Sequence, residues 1–263
     1  MAVEMQSAFF TLPGKFEKLR FFPSVSSDSM STPSTPTTPL SSPPVEPYDI
    51  QIITKPDVEK VIGFLRKFFF RDEPLNVNVK LLEGDDATCL ELEEFSVKSI
   101  KDGLSLMAVS ESGKVVGVCL NGAMRRNDVE EDEEDCPNEK FAKILNLLET
   151  VDKQADIFGK FPDVNSVMNV KILSVDTTWR GRGIAKQLMD RTRDMAREQG
   201  YGIMRVDCTS NFSARAIARL GFECVYTLKY ADHKVDGQVV FEPEHPHTEV
   251  AVYIQRIVPN SNL

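Results

Sequence analysis

The chain's 263 residues include 31 Lys or Arg against 40 Asp or Glu, a formal net charge of −9, with 41% hydrophobic and 8% aromatic residues. This length suits one large or two small domains, either able to bury a sizeable core. An acidic chain with dispersed basic residues disfavours duplex nucleic-acid binding, and neither a run of roughly 18 apolar residues nor a leader with a basic region, apolar stretch and cleavage site is visible.

Residues 1–22 carry Phe9, Phe10, Phe16, Phe21 and Phe22, enough for a short helix or a docking segment. Residues 23–47 are mostly Ser, Thr and Pro with almost nothing to bury, so ordering them costs entropy without return. We therefore expect a disordered tail over 1–47 and a folded domain over 48–263. Thr32, Thr35, Thr38 and Ser42 each precede a proline, the pattern proline-directed kinases read, although such composition also produces these pairs by chance.

The domain opens at Tyr48, where Y-D-I-Q-I-I alternates as a half-buried strand does. Val58, Val61, Ile62, Leu65 and Phe69 then recur at helical spacing, and Pro74 is expected to end that helix. A second helical stretch follows at 90–97, and two apolar runs around Glu111-Ser112-Gly113 predict a hairpin. The run at 128–135 holds seven acids and no base; it reads as a solvated loop or as an attractor for a cationic substrate. Residues 140–154 form an amphipathic helix pattern with Phe141, Ile144, Leu145, Leu148 and Val151 on one side. Strand 170–175, helix 183–199 stopped by Gly200, strand 203–208, helix 212–220 stopped by Gly221, and strands at 224–230, 237–241 and 250–257 complete the chain. The order predicts a mixed α/β layered domain with one parallel strand–helix–strand step.

The cysteines Cys89, Cys119, Cys136, Cys208 and Cys224 are odd in number and form no C-x-x-C pair. This disfavours a disulfide framework or a zinc site, so free thiols, a cytoplasmic location and no metal are expected. The chemistry concentrates in K-I-L-S-V-D-T-T-W-R-G-R-G-I-A-K-Q-L, residues 171–188, where a buried strand runs through a loop with two glycines into a helix. Backbone N–H groups and the positive helix end then converge on one spot suited to a phosphate. Neither a Walker ending nor a third glycine is present, and Gly181 and Gly183 also suit a plain tight turn.

Arg180, Gly183 and Ala185 make an R-x-x-G-x-A that, after the strand L-S-V, resembles the acetyl-CoA motif of the GNAT superfamily of N-acetyltransferases. The element order from Tyr48 to about Ile257 fits that fold, a mixed, mostly antiparallel sheet with helices on both faces. F-F-F-R-D-E-P-L-N (68–76), L-N-G-A-M-R-R (120–126), K-I-L-S-V-D-T and the S-A-R-x-x-x-x-L-G-F of 213–222 narrow the resemblance to the insect arylalkylamine N-acetyltransferases, the dopamine N-acetyltransferase group.

By position, the resemblance implies that Leu173, Ser174 and Val175 contact the pantetheine of acetyl-CoA, and that Arg180, Gly181, Arg182, Gly183, Ile184, Ala185 and Lys186 surround its pyrophosphate. The charges of Arg180, Arg182 and Lys186 suit phosphates, though any of them also reads as a solvated surface cation. The acceptor amine, with a pKa near that of Lys at about 10, must lose a proton before it can attack. The resemblance makes Glu73 the general base, with Asp72 drawing in the cationic amine. Read unaided, Arg71-Asp72-Glu73-Pro74 is a charged helix end, yet acids near a helix C-terminus are unfavourable and ask for another reason.

The departing thiolate needs a proton, and Ile217 stands where many superfamily members have a tyrosine. The insect enzymes use a hydroxyl pair; its positions here are Thr209, where the family pattern has Ser, and Ser213. Thr209 or Ser210 also reads as a simple N-cap, and of the pair Ser213 is the stronger catalytic candidate. Phe69, Phe70, Met124, Trp179 and Phe212 lie near the motifs but equally suit a core.

The resulting expectation is a monomeric enzyme that acetylates dopamine, serotonin, tyramine, octopamine or tryptamine in a ternary complex with acetyl-CoA. Two other readings keep the fold: a polyamine or protein-lysine acceptor, suited to the acidic loop, or a CoA-binding module without turnover, suited to Ile217.

Overall fold

The computed structural model describes residues 46–84, 86–128 and 136–258. In chain order it contains β1 (Tyr48–Ile52), α1 (Val58–Phe68), α2 (Pro74–Asn78), α3 (Leu90–Lys98), β2 (Leu106–Ser110), β3 (Val115–Arg125), α4 (Glu139–Ala155) and α5 (Ile157–Lys160). The second half holds β4 (Ser166–Val175), α6 (Ile184–Glu198), β5 (Ile203–Cys208), α7 (Asn211–Arg219), β6 (Glu223–Lys229), the two-residue strands β7 (Lys234–Val235) and β8 (Gln238–Val239), and β9 (Glu249–Arg256). The tail expected over 1–47, Glu46 and Pro47 apart, and the acidic run beyond Asp128 lie outside the described residues.

Seven strands form one sheet in the order β1-β2-β3-β4-β5-β9-β6. Only β4 and β5 pair in parallel, as expected for the strand–helix–strand step; every other neighbour is antiparallel. Apolar periodicity places the helices. Val61, Ile62, Phe64 and Leu65 of α1 and Phe141, Ile144, Leu147 and Val151 of α4 bury on one face of the sheet. On the other, Ile184, Leu188, Met189 and Met195 of α6 pack with Ile217 of α7. The fit of α6 against the sheet requires a glycine: a Cβ at Gly117 of β3 would sit 2.8 Å from Ile184 Cγ2. Among the described residues no helix is long and apolar enough to cross a membrane.

The feature that positions the site is the incomplete pairing of β4 and β5. Their parallel ladder runs only from Val167↔Ile203 to Val170↔Val206. On its other side β4 stays paired with β3 up to Val175↔Gly117, except at Lys171, a bulged residue skipped between Leu120↔Ile172 and Asn121↔Val170. Meanwhile β5 follows β9 to Cys208↔Ala251. Each strand is thus held by its outer neighbour, and beyond Val170 the two part.

Three sequence expectations change. Pro74 does not merely end the first helix, which stops at Phe68; it occupies the first turn of α2, where its missing N–H costs nothing. Residues 237–241 do not add a strand to the seven-stranded sheet; only Gln238–Val239 is strand, paired with β7. Asp236 (φ 52°) and Gly237 (φ 78°) instead make a tight hairpin turn between β7 and β8, and Phe241 leaves the ribbon to bury against Tyr230 and His233. The strand expected from residue 170 begins at Ser166; the polar Ser166 and Asn169 interrupt its apolar run and hide its first four residues from the pattern.

The guanidinium of Arg205 on β5 is almost fully buried, with Nε and Nη2 donating to Asp207 at 2.8 and 2.9 Å and Nη1 to Asp152 of α4. Asp207→Ala leaves that buried charge with Asp152 as its one carboxylate partner and is expected to cost about 3 kcal/mol or more in urea unfolding. The double variant Arg205→Met/Asp207→Leu, with no buried charge on β5, should lose less than the single variant.

Candidate active site

Glu73 owes its position to the way α1 stops. After Phe68 the N–H groups of Phe69 and Phe70 both return to the Leu65 carbonyl, and those of Asp72 and Glu73 to Phe69, so the chain curls instead of extending. Glu73 then becomes the N-cap of α2, its Oε2 accepting the Asn76 N–H at 2.7 Å. The acid is therefore at the start of a helix, a favourable place for negative charge, and not at the unfavourable helix end that the sequence suggests. Asp72 beside it is exposed.

The second carboxylate oxygen, Oε1, accepts the Thr209 hydroxyl at 2.9 Å. Glu73 is 3% exposed, and burial pushes its pKa up to about 7. Hydrogen bonds from the Asn76 N–H, the Thr209 hydroxyl and the Leu75 N–H pull the other way without cancelling it. A buried carboxyl with that value changes its proton near neutral pH, as a general base should.

The α1–α2 turn also bridges the split in the sheet. The Ser174 hydroxyl of β4 donates to the Phe68 carbonyl at 3.0 Å, and Thr209 directly follows β5. One end of the turn is thus tied to β4 and the other to the end of β5, which sets the Glu73 carboxylate at the open mouth between them. Asn76 braces the turn from within, donating to the Phe70 carbonyl at 3.0 Å.

The two predicted hydroxyls have different partners. Helix α7 begins at Asn211 with Ser210 as its N-cap, so Thr209 lies outside the helix and helical i, i+4 spacing does not relate it to Ser213. Ser213 closes a capping box: its N–H donates to Ser210 Oγ at 3.0 Å and its Oγ accepts the Ser210 N–H at 3.3 Å, while its hydroxyl donates to the Ser210 carbonyl at 2.9 Å. The structure brings Thr209, rather than Ser213, into contact with Glu73. Ile217 is fully buried in the apolar cluster beneath α7.

Tyr230, which the sequence reading did not single out, also reaches this point, its hydroxyl donating to the Thr209 carbonyl at 2.6 Å. It sits in a single turn after β6, and no periodicity or motif spacing marks it.

At the far end of β4, Asp176 fastens the glycine loop. Its carboxylate accepts the Thr178 N–H at 2.9 Å and hydroxyl at 2.7 Å and pairs with Lys114 at 2.6 Å. Gly181 (φ 77°) and Gly183 (φ 78°) are both left-handed, and Gly183 is the N-cap of α6. Gln187 N–H bonds the Gly183 carbonyl, so the preceding N–H groups of Ile184, Ala185 and Lys186 point out of the helix end. The guanidinium of Arg180 bonds the Val175 carbonyl at 3.3 Å, that of Arg182 lies 4.3 Å over the Trp179 ring, and Lys186 pairs with Asp190.

These residues fit acetyl-CoA. Leu173, Ser174 and Val175 pair with Cys119, Val118 and Gly117 on one side, and their opposite edge faces the split, where an amide-bearing arm finds backbone partners. The N–H cluster and basic side chains at the start of α6 suit a pyrophosphate. Of the neighbouring aromatics, Phe69, Phe70 and Trp179 are core, while Phe212 is half-buried and edge-on to His247. Met124 takes a contact from Asn169 Nδ2 at 3.1 Å.

Residues 128–236 match the acetyltransferase (GNAT) domain family. Among solved structures the chain is similar to arylalkylamine N-acetyltransferase 2 from Aedes aegypti, at 33% identity, covering 80% of this chain and 99% of that one, with a TM-score of 0.75. A Drosophila melanogaster polyamine N-acetyltransferase that forms N-acetylagmatine is 28% identical, with 80% and 100% covered and a TM-score of 0.72. A mosquito arylalkylamine N-acetyltransferase like 5b is 25% identical, with the same coverages and a TM-score of 0.71.

The buried carboxyl has a consequence for stability. Its folded pKa of about 7 exceeds the ordinary value of 4.5, so its stabilising contribution is complete below pH 4.5 and is lost as pH rises toward 7. Glu73→Gln lacks this loss. In urea unfolding at matched pH, the variant should gain on the wild type by on the order of 3 kcal/mol between about pH 4 and pH 8.

Proposed function

The chain belongs to the GNAT acetyltransferases, a family whose co-substrate is acetyl-CoA, and from that premise we propose that it acetylates arylalkylamines such as dopamine, serotonin, tyramine, octopamine or tryptamine. The observation that carries the mechanism is the buried Glu73–Thr209 pair at the mouth of the β4/β5 split. The similarity to an arylalkylamine N-acetyltransferase supports the acceptor class.

In this reading acetyl-CoA lies along the free edge of β4, its pyrophosphate on the N–H groups of residues 180–186 and its thioester near Leu173 and Ser174, whose backbone polarises the carbonyl. An arylalkylammonium entering the mouth gives its proton to Glu73, directly or through water, and the freed lone pair attacks the thioester carbon. As the tetrahedral intermediate collapses, the C–S bond breaks and the thiolate needs a proton. Thr209 is assigned to supply it, because its hydroxyl already bonds Glu73 and regains a proton from there. Ser213, bonded to Ser210, is assigned the support of the turn that presents Thr209. Nitrogen loses two protons in all: the one given to Glu73 ends on sulfur by way of Thr209, the second, shed by the attacked nitrogen as the intermediate collapses, goes to solvent, and no acyl-enzyme forms.

A second reading, with a polyamine or agmatine as acceptor, is supported by the similarity to the fly polyamine enzyme. Thiol release from acetyl-CoA, measured with dopamine, tryptamine, agmatine, spermidine and a lysine peptide, separates the two. Dopamine and tryptamine should be fastest, with kcat/KM rising through an apparent pKa of about 7, and Glu73→Gln should lower kcat/KM about a hundredfold or more. Faster release with agmatine or spermidine favours the second reading. Acetyl-CoA binding without any release leaves a CoA-binding module.

The glycine loop has its own test. Gly183→Ala puts a Cβ on a left-handed residue, a strain of about 1 kcal/mol or more. It should raise KM for acetyl-CoA about fivefold or more while kcat changes little.

A further inference from the structure

Thr209 makes the contact that holds the base, and its own orientation requires an explanation. Its side chain leaves the end of β5 between two fixed points: Cys208 is still in the ladder with Ala251 of β9, and Ser210 caps α7. Neither dictates where the hydroxyl of the residue between them points. Tyr230 supplies a third fixed point from another part of the chain. Its N–H donates to the Thr248 carbonyl at 3.0 Å, which ties it to the start of β9. Phe241, returning from the β7–β8 ribbon, packs its ring 6.2 Å from the Tyr230 ring and buries it. The ring is thereby clamped at both ends, and its hydroxyl meets the Thr209 carbonyl at 2.6 Å.

We propose that Tyr230 is a positioning residue of this site: by holding the Thr209 carbonyl, it keeps the Thr209 hydroxyl donating to the Glu73 carboxylate. The proposal rests on the reading of Glu73 as the base and adds a residue that acts on it from β6–β9 without touching substrate. Phenylalanine would fill the same space but could not donate, so the role belongs to the hydroxyl and not to the ring.

The electrostatic surroundings are consistent. Burial, joined by Glu73 facing Tyr230 from the α1–α2 turn, Cys208 from β5 and Glu249 from β9, pushes the Tyr230 pKa well above its usual range, so the phenol keeps its proton and stays a donor. Glu73 in turn is faced by the Asn76 and Leu75 N–H groups from its own helix and by the Thr209 hydroxyl from the end of β5. The Thr209 hydroxyl is the one side-chain donor among these. A Thr209 that swings away leaves burial less opposed and raises the carboxyl pKa further.

The test compares wild type, Tyr230→Phe, Thr209→Val and the double variant by two readouts. The first is the acid limb of kcat/KM for the best acceptor amine. The second is the Glu73 titration taken from the pH dependence of unfolding stability, with and without Glu73→Gln in each background, which needs no turnover. The expected result is that Tyr230→Phe moves both upward by about half a pH unit or more, that Thr209→Val moves them at least as far, and that the double variant moves them no further than Thr209→Val alone. A Tyr230→Phe protein that loses activity evenly across pH with its Glu73 titration unmoved overturns the proposal, as does a full sum of the two shifts. Should Tyr230→Phe fail to fold, an unmoved titration in Thr209→Val overturns the route through Thr209 and a raised one sustains it. Absence of amine acetylation with the expected titration shifts would defeat the acceptor assignment and leave the positioning role standing.

Discussion

A parallel strand pair that separates after four paired positions, while both strands stay hydrogen-bonded on their outer sides, is the constraint on which the rest depends. Backbone N–H and C=O groups inside a protein must find partners, and a strand edge left open is unfavourable unless something extended lies along it. Here β3 and β9 pull the two strands apart and the bulge at Lys171 alters the register of β4 just where the ladder to β5 stops. The helices follow from the same geometry: α6 starts at the end of β4 and α7 at the end of β5, so both helix beginnings stand at the mouth. The α1–α2 turn, hung between Ser174 and Thr209, spans it.

That frame allows an otherwise unfavourable carboxylate to persist. Burying an acid disfavours its charged form, and two close hydrogen bonds to Glu73 offset the penalty only in part, leaving the group poised between protonated and ionised near neutral pH. A purely structural cap would be better served by an exposed Asp or Ser, which would keep the N–H of Asn76 satisfied without the desolvation. Retaining the costlier residue makes sense where a proton has to be exchanged.

The fold was legible wherever a local rule decided it. Apolar spacing placed α1 and α4, glycines marked the ends of α6 and α7, and the Glu111-Ser112-Gly113 turn announced β2 and β3. The missed features depended on contacts distant in sequence or on a local signal with two meanings. Pro74 serves equally to stop one helix and to start the next, and only the curl of Phe69 to Glu73 decides between them. Asp236-Gly237 is a hairpin signal, yet the ribbon it makes has strands of two residues, after which Phe241 buries against Tyr230, a contact no local pattern announces. At the site, Glu73, Thr209 and the glycine loop were readable from motif positions. The preference for Ser213 rested on the departure of Thr209 from the family pattern and on its reading as an N-cap, neither of which says where its hydroxyl points, and Tyr230, distant in sequence, meets Thr209 only through the folded chain.

The two halves of the site are built from different materials, and this bears on how one frame serves different amines. The proposed cofactor side is largely backbone: the open edge of β4, the left-handed glycines and the first N–H groups of α6. Backbone groups survive almost any side-chain replacement that preserves the dihedral angles, so relatives of modest identity can keep the same acyl donor. The proposed proton-handling side is made of side chains, yet its demands are set by nitrogen chemistry common to every alkylammonium. Neither half therefore specifies what the amine is attached to. Selectivity between an aromatic and a cationic tail has to come from residues around the mouth that face neither CoA nor the reacting nitrogen.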